Sequence, residues 1–222
     1  MRSRWWHGAL AVVALLALLL QLWIALRVPG HPHLTEPGRI AGGSAIERLI
    51  RVASFFTIQS NVLSLVVAAQ LAIDPDRDGA AWRVLRLDAL LGIAVTGIVY
   101  ATVLAPIHEP KGWQETSTNA VVHYVMPIGI VLGWLLFGPR PRIDLRVVGW
   151  ALAWPVAWLG YTLVRGAIWH WYPYPFLDVP THGYLRVVVN SALVTVVLAL
   201  VAAAFYQLDR RLAPKIDANA RR

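Results

Sequence analysis

The stretch Ala9-Leu-Ala-Val-Val-Ala-Leu-Leu-Ala-Leu-Leu-Leu-Gln-Leu-Trp-Ile-Ala-Leu-Arg-Val28 is apolar over the length that a helix needs to cross a bilayer. A helix rises about 1.5 Å per residue, so roughly 20 such residues span the hydrocarbon core. Counting this stretch, the 222-residue chain contains six such runs, which cover 8–27, 52–73, 87–106, 119–137, 147–169 and 186–207. We therefore expect an all-α, polytopic membrane protein: one domain, residues 1–222, folded as a bundle of six transmembrane helices.

Composition agrees with this expectation. Hydrophobic residues make up 58% of the chain and charged residues 14%, against roughly 45–50% and 25% in soluble proteins. The chain has no cysteine, which excludes disulfides and thiolate metal sites. The net charge of +8 does not indicate nucleic-acid binding, because the basic residues lie at the ends of the apolar runs.

The distribution of arginine and lysine predicts the orientation. With a cytoplasmic N-terminus, 13 of the 20 Lys and Arg residues lie on the cytoplasmic side, 6 lie opposite, and Arg165 falls inside a run. The positive-inside rule then places both termini in the cytoplasm of a multi-pass cell-membrane protein. Arg2 and Arg4 before an apolar run also fit a signal peptide, but about 20 residues exceed a signal core, so we expect an uncleaved first helix.

Two connections carry local signals. Ser44 and Glu47 form a capping-box pattern, which predicts a helix from about Ala45 that runs directly into the second span. The last loop, 169–184, is rich in proline and aromatic residues and suits an interfacial belt, with its rings at Trp169, Trp171, Tyr172, Tyr174 and Tyr184.

A polar stripe marks the second run. Ser54, Thr57, Asn61 and Ser64 follow one another at spacings of three and four, with Ser60 beside them. Helix packing through small polar residues is the structural alternative to a functional site. Asn61 is the hardest to explain by packing alone, because a buried amide needs several partners.

The fourth run contains the only histidine inside any of the six runs, His123, four residues before Pro127. Proline lacks the N–H that would bond the His123 carbonyl, so a kink with a free acceptor is expected here. In the predicted topology Thr57 and His123 lie at similar depths in the outer half of the membrane. A hydroxyl beside an imidazole base is the minimum equipment for covalent acyl transfer, and a histidine that only bonds to a neighbouring helix is the structural alternative.

Other spans contribute polar residues near the same depth. We predict substrate-binding roles for them in a pocket in the outer leaflet, with Arg165 as the residue that holds a lipid carboxylate or phosphate. Asn61 or Tyr161 would donate to an oxyanion, and Arg165 snorkelling to the interface is the alternative for that residue. The predicted substrate-binding set is Ser60, Asn61, Tyr100, Tyr161, Arg165 and Asn190.

Three segments carry a family resemblance: Phe56-Thr-Ile-Gln-Ser-Asn61, His123-Tyr-Val-Met-Pro127 and Trp171-Tyr-Pro-Tyr-Pro-Phe-Leu-Asp-Val179. Through them the chain resembles the bacterial Pr-six-Pr membrane proteins, which have six spans. It is more remotely similar to the androgen-induced family of membrane hydrolases, which cleave fatty-acid esters of hydroxy fatty acids. That resemblance implies a catalytic threonine and histidine, which Thr57 and His123 match in order and context.

The sequence thus predicts intramembrane hydrolysis of a lipid ester by Thr57 and His123. Membrane lipids are the expected partners, and no metal, other cofactor or nucleic acid is expected, since the histidine spacing fits no zinc motif. The alternative is a non-catalytic protein that binds a lipid or a partner, or passes a solute, through the same pocket.

Overall fold

The computed structural model describes residues 1–27 and 37–213, and within these ranges the chain is helical with no β-strand. Two π-helical turns, Tyr100–Leu104 and Val121–Val125, extend α4 and join α5 to α6, and a 3₁₀ turn covers Pro175–Leu177. The α-helices are α1 (Arg2–Arg27), α2 (Ala45–Ser54), α3 (Phe56–Ile73), α4 (Ala80–Val99), α5 (Gly112–Ala120), α6 (Met126–Phe137), α7 (Leu145–Ala151), α8 (Ala153–Trp169) and α9 (Val179–Arg211).

Six helical stretches among the described residues are long and apolar enough to cross a membrane, as the sequence predicts. Most begin earlier than the predicted runs, because their first turns are polar. The stretches are Arg2–Arg27, Phe56–Ile73, Ala80–Leu104, Gly112–Phe137, Leu145–Trp169 and Val179–Arg211. Several residues counted in the sequence analysis lie outside the described ranges: the histidines His31 and His33 and the basic residues Lys215, Arg221 and Arg222.

The capping box at the start of α2 is confirmed, because the Ser44 side chain accepts from the Glu47 N–H and the Glu47 carboxylate accepts from the Ser44 N–H. The prediction that this helix continues into the next is wrong. Phe55 has extended backbone angles, φ −69° and ψ 128°, and separates α2 from α3. The break places Thr57 in the first turn of α3, where backbone N–H groups have no partner within the helix.

The main buried apolar cluster is formed by α1, α4, α6, α7 and α9, with Ala68 from α3, and it depends on close helix approach. A Cβ atom on Gly129 of α6 would lie 2.5 Å from a Leu10 methyl group of α1. The Trp6 indole N–H donates to the Gly129 carbonyl at 3.1 Å. Small residues of this kind allow apolar helices to pack without a polar core.

The aromatic loop between α8 and α9 folds into the bundle, so the predicted surface belt is only partly present. Trp169 and Tyr184 are exposed, but Trp171, Tyr172 and Tyr174 are buried. Phe55 packs edge-on against Trp171 and Tyr174, with ring centroids 5.7 Å away in both cases. The break at Phe55 is therefore covered by this loop.

We call the end of the bundle that contains Phe55 the Thr57 end, and the opposite end the Asp209 end. At the latter, the fully buried Asp209 carboxylate of α9 accepts from the Arg142 and Ile143 N–H groups at 2.6 and 2.8 Å. These bonds tie the last helix to the segment before α7.

We expect Asp209→Ala to lower the free energy of unfolding by about 3 kcal/mol, because it leaves two buried N–H donors unpaired. Thermal unfolding of the purified protein in detergent measures this loss. The exposed Asp76 is the matched control, and Asp76→Ala should change stability little. Equal stabilities of the two variants would contradict the role of Asp209.

Candidate active site

The hydroxyl of Thr57 lies within reach of two side chains from other parts of the chain. Its Oγ1 is 3.4 Å from His123 Nε2 and 3.1 Å from the Tyr174 hydroxyl. The Thr57 N–H has no partner within α3, because it lies in the first turn of that helix, and it donates to the same tyrosine oxygen at 3.1 Å. Thr57 is buried, with 6% of its surface exposed. The structure thus brings together the two residues that the sequence pairs.

The orientation of the His123 ring follows from its second nitrogen. His123 Nδ1 lies 3.2 Å from the Asn119 carbonyl oxygen, one turn earlier in the helix. A carbonyl only accepts, so Nδ1 carries the proton and Nε2 presents a lone pair to Thr57. In this tautomer Nε2 can accept the Thr57 proton.

Tyr100 fixes the plane of that ring. The Tyr100 and His123 rings are stacked, with centroids 3.8 Å apart and an interplanar angle of 16°. The Asn119 amide donates to the Tyr100 hydroxyl at 2.6 Å, and His108 Nδ1 lies 3.4 Å from that hydroxyl. Tyr100 therefore positions the histidine ring by stacking on one of its faces, and the Tyr100 hydroxyl is already engaged by Asn119.

Both π-helical turns among the described residues lie at this site. Tyr100 begins one of them and His123 is the middle residue of the other. Each such turn inserts an extra residue into a helix and rotates the side chains that follow, and single π-turns are frequent at functional sites. The second turn directly precedes Met126 and Pro127, where the sequence predicts a kink.

Asn61 holds this second turn against α3. Its amide nitrogen donates to the Thr57 carbonyl at 2.8 Å and to the Val122 carbonyl at 3.2 Å. Both amide hydrogens are occupied in this arrangement, so a contact from Asn61 to an oxyanion would require one of these bonds to break, and that role stays a prediction. Asn61 positions the site.

The hydroxyl of Tyr161, the other predicted oxyanion donor, contacts a different residue, so its role also stays a prediction. Its hydroxyl lies 2.9 Å from Ser54 Oγ, which itself donates to the Ile50 carbonyl at 2.7 Å. Because the Ser54 hydroxyl already donates its proton to Ile50, the Tyr161 hydroxyl is the donor to Ser54 Oγ. Tyr161 joins α8 to the end of α2, on the far side of Phe55 from Thr57.

Three other predicted substrate-binding residues lie around the site without reaching Thr57. Ser60 is fully buried beside Gly92 and Trp154, and its hydroxyl has no partner within the described chain. The Asn190 amide donates to the Phe176 carbonyl at 2.8 Å and so anchors the aromatic loop. Arg165 is buried and packs on Trp171 and Trp169.

Sequence reasoning missed Tyr174 and Asn119 as site residues. Tyr174 lies in a segment that proline and aromatic content mark as a surface loop, and only its place in the resemblance segment could have indicated a role. Asn119 precedes His123 by one helical turn, a spacing that places its carbonyl beneath the ring. Burial raises the pKa of the Tyr174 hydroxyl, and its hydrogen bonds with Thr57 oppose this only in part. Tyr174 therefore stays protonated and available as a donor at neutral pH.

Polar groups also occur toward the Asp209 end, which the sequence analysis overlooked. The helix α1 includes the buried His7. A cleft of about 600 Å³ beside α4 and α7 is lined by Asp88, Arg146 and Trp150.

Across residues 1–27 and 37–213, no group of three or more His, Cys, Asp or Glu residues could hold a metal ion.

Comparison of the chain with protein-family models, with curated proteins and with solved structures gives no match. The resemblance stated from the three sequence segments therefore stays a prediction. Function has to be inferred from the geometry around Thr57.

We expect Asn61→Leu to reduce the free energy of unfolding by about 2 kcal/mol, because the Val122 carbonyl loses its donor in a buried setting. The control is Gln70→Leu, since Gln70 is half-buried two to three turns further along α3. Chemical or thermal unfolding in detergent compares the two. A loss for Gln70→Leu as large as for Asn61→Leu would argue against a specific role of Asn61.

Proposed function

We propose that the chain is a multi-pass protein of the cell membrane with both termini in the cytoplasm. Six long apolar helices support this, and so do the many large apolar side chains that face outward from the bundle, such as Leu16, Leu136 and Leu200. The excess of basic residues at the Asp209 end supports a cytoplasmic location for that end. The Thr57 end then lies toward the outside.

Single-cysteine labelling tests this orientation, because the chain contains no cysteine of its own. We expect Lys111→Cys to react with a membrane-impermeant maleimide in intact cells. Asp76→Cys should react only after the membrane is opened. The reverse pattern would contradict the proposed orientation.

We further propose that the Thr57 end hydrolyses a lipid ester. The observation that carries this proposal is the alignment of three groups: the Thr57 hydroxyl, His123 Nε2 at 3.4 Å, and the Asn119 carbonyl that holds the opposite ring nitrogen. Nucleophile, base and orienting acceptor are the arrangement of a covalent acyl-transfer site. A longer hydroxyl–imidazole distance is common before substrate binds.

In the first half-reaction, Thr57 Oγ1 attacks the ester carbonyl carbon while its proton passes to His123 Nε2. The tetrahedral intermediate collapses as the C–O bond to the alcohol breaks, and the imidazolium gives its proton to the leaving oxygen. The alcohol departs, and the acyl group remains bonded to Thr57 Oγ1.

In the second half-reaction, water attacks the acyl carbonyl and gives a proton to His123 Nε2. Collapse of this second intermediate breaks the bond to Thr57, whose oxygen takes the proton back from the imidazolium. The products are a fatty acid and the regenerated site.

Negative charge on the carbonyl oxygen would be stabilised by Tyr174 and by the start of α3. The Tyr174 hydroxyl lies 3.1 Å from Thr57 Oγ1, so a small rotation directs its proton toward the developing oxyanion. Thr57 is the second residue of an 18-residue helix, whose positive end favours an anion there.

We expect Thr57→Val and His123→Ala each to lower ester hydrolysis on the order of 10³-fold, because each removes one member of the nucleophile–base pair. Turnover of a fluorogenic long-chain acyl ester by the purified protein measures this. Thr57→Ser, which keeps the hydroxyl, should retain activity. The exposed Thr195 and His182 are matched controls, and Thr195→Val and His182→Ala should behave as wild type.

Tyr174→Phe separates oxyanion stabilisation from nucleophile activation. We expect kcat to fall on the order of 10²-fold, with little change in KM, because the lost donor acts on the transition state. If the wild-type protein retains bound lipid but hydrolyses no ester, the result favours the non-catalytic lipid-binding alternative instead.

A further inference from the structure

Two arginines contact one buried tryptophan at the Thr57 end. The guanidinium carbon of Arg165 lies 4.9 Å from the centre of the Trp171 ring, and that of Arg51 lies 5.6 Å from it. Trp171 is 1% exposed, and its indole N–H donates to the Arg39 carbonyl at 2.9 Å. Arg51 comes from α2, Arg165 from α8 and Trp171 from the loop, so three elements converge here.

The charge of Arg165 is uncompensated within the described chain. Its side chain is buried, with 9% of the residue exposed, and its Nη1 has no hydrogen-bond partner. Asp178 of the aromatic loop does not pair with Arg165, because its carboxylate accepts from the Thr181 N–H at 3.2 Å and caps α9. A buried guanidinium without a carboxylate or carbonyl partner is costly, and contact with aromatic rings offsets only part of that cost.

Arg51 is held in place but keeps donors available. Its Nη1 donates to the Ala41 carbonyl at 2.6 Å, and no described residue accepts from its Nε or Nη2. Burial lowers the pKa of Arg51, and the nearby Arg165 lowers it further, although the Glu47 carboxylate opposes this. Two like charges are thus kept close together at a half-buried position.

Arg48, one turn earlier on α2, shows the contrasting case. It donates to the Ala25, Gly43 and Leu26 carbonyls, at 2.7, 2.8 and 3.4 Å, so Nε and both terminal nitrogens are engaged. Arg48 is a structural tie between α1 and α2. In the neighbouring pair Arg51 and Arg165, guanidinium N–H groups remain without a hydrogen-bond partner in the described chain, so these groups can bind an acceptor from outside the protein.

We propose that Arg51 and Arg165, supported by Trp171, bind the phosphate group of an anionic lipid. A phosphate offers several oxygens and a full negative charge, which suits two planar guanidinium groups better than a single neutral acceptor does. The Arg165 guanidinium carbon also lies 5.8 Å from the centre of the exposed Trp169 ring on the same helix, as expected for an entry from the bilayer.

The position of this cluster relative to Thr57 indicates a substrate class, and this step rests on the proposed function. The Trp158 indole N–H donates to the Ser54 carbonyl at 2.9 Å, which places Trp158 near the level of Thr57. Arg165 follows Trp158 by seven residues, or about 10 Å along α8. In a glycerophospholipid five or six covalent bonds join the phosphorus to an acyl carbonyl carbon, and the hydrogen bond from a guanidinium to the phosphate adds about 3 Å to that reach. A spacing of about 10 Å suits these two parts together, so we infer that the ester at Thr57 belongs to such a lipid.

Binding of phosphatidic acid and of diacylglycerol with the same acyl chains tests the cluster, using the full chain in neutral detergent and native mass spectrometry. We expect Arg165→Gln and Arg51→Gln each to weaken phosphatidic acid binding at least tenfold and to leave diacylglycerol binding unchanged. Arg186→Gln, an exposed arginine near the start of α9, is the matched control. Unchanged phosphatidic acid affinity in both variants would overturn the proposal.

Three further arms keep the result interpretable. Arg165→Lys keeps the charge but loses the planar two-point contact, so it should fold and still bind phosphatidic acid more weakly; full affinity in Arg165→Lys would count against the proposal. The lipid assignment would be overturned if inorganic phosphate raised the unfolding temperature of the protein while the protein bound phosphatidic acid no better than diacylglycerol. Thr57→Val should bind phosphatidic acid as wild type does, so a failure of catalysis leaves the binding result intact.

Discussion

The break in the backbone at Phe55 is the constraint on which the Thr57 end depends. Interrupting a helix in an apolar bundle exposes backbone groups that have no water to bond. The Ser54 carbonyl is taken by the Trp158 indole, and the Thr57 N–H is taken by the Tyr174 hydroxyl. The aromatic loop must fold inward to supply that hydroxyl, and the same contact brings Tyr174 to the Thr57 side chain.

The pairing of Tyr100 with His123 depends on the close approach of α4 and α6. A Cβ on Gly97 of α4 would lie 2.9 Å from the Pro127 side chain, so only glycine allows α4 and α6 to approach this closely. The two π-turns then direct Tyr100 and His123 toward each other from these adjacent helices. Because the ring of His123 is held on one face by Tyr100 and at Nδ1 by Asn119, its orientation does not require a carboxylate.

Periodicity and composition predicted the helices well, since length and apolarity are properties of each segment alone. The capping box at Ser44 and Glu47 was equally local, and so was readable. The break at Phe55 was not, because Phe-Phe-Thr carries no glycine or proline signal and the extended residue is stabilised by a distant loop. Tyr174 and the π-turns were missed for the same reason: their stabilising partners lie on other helices, and no spacing within one segment encodes them.

Covalent trapping at Thr57 tests the central claim most directly. A fluorophosphonate with a long alkyl chain, incubated with the full chain in detergent, should phosphonylate the peptide that contains Thr57, as read by tandem mass spectrometry. His123→Ala should lose this adduct because the hydroxyl then has no base. Absence of any Thr57 adduct in wild-type protein that hydrolyses esters, or an adduct at another residue, would contradict the account.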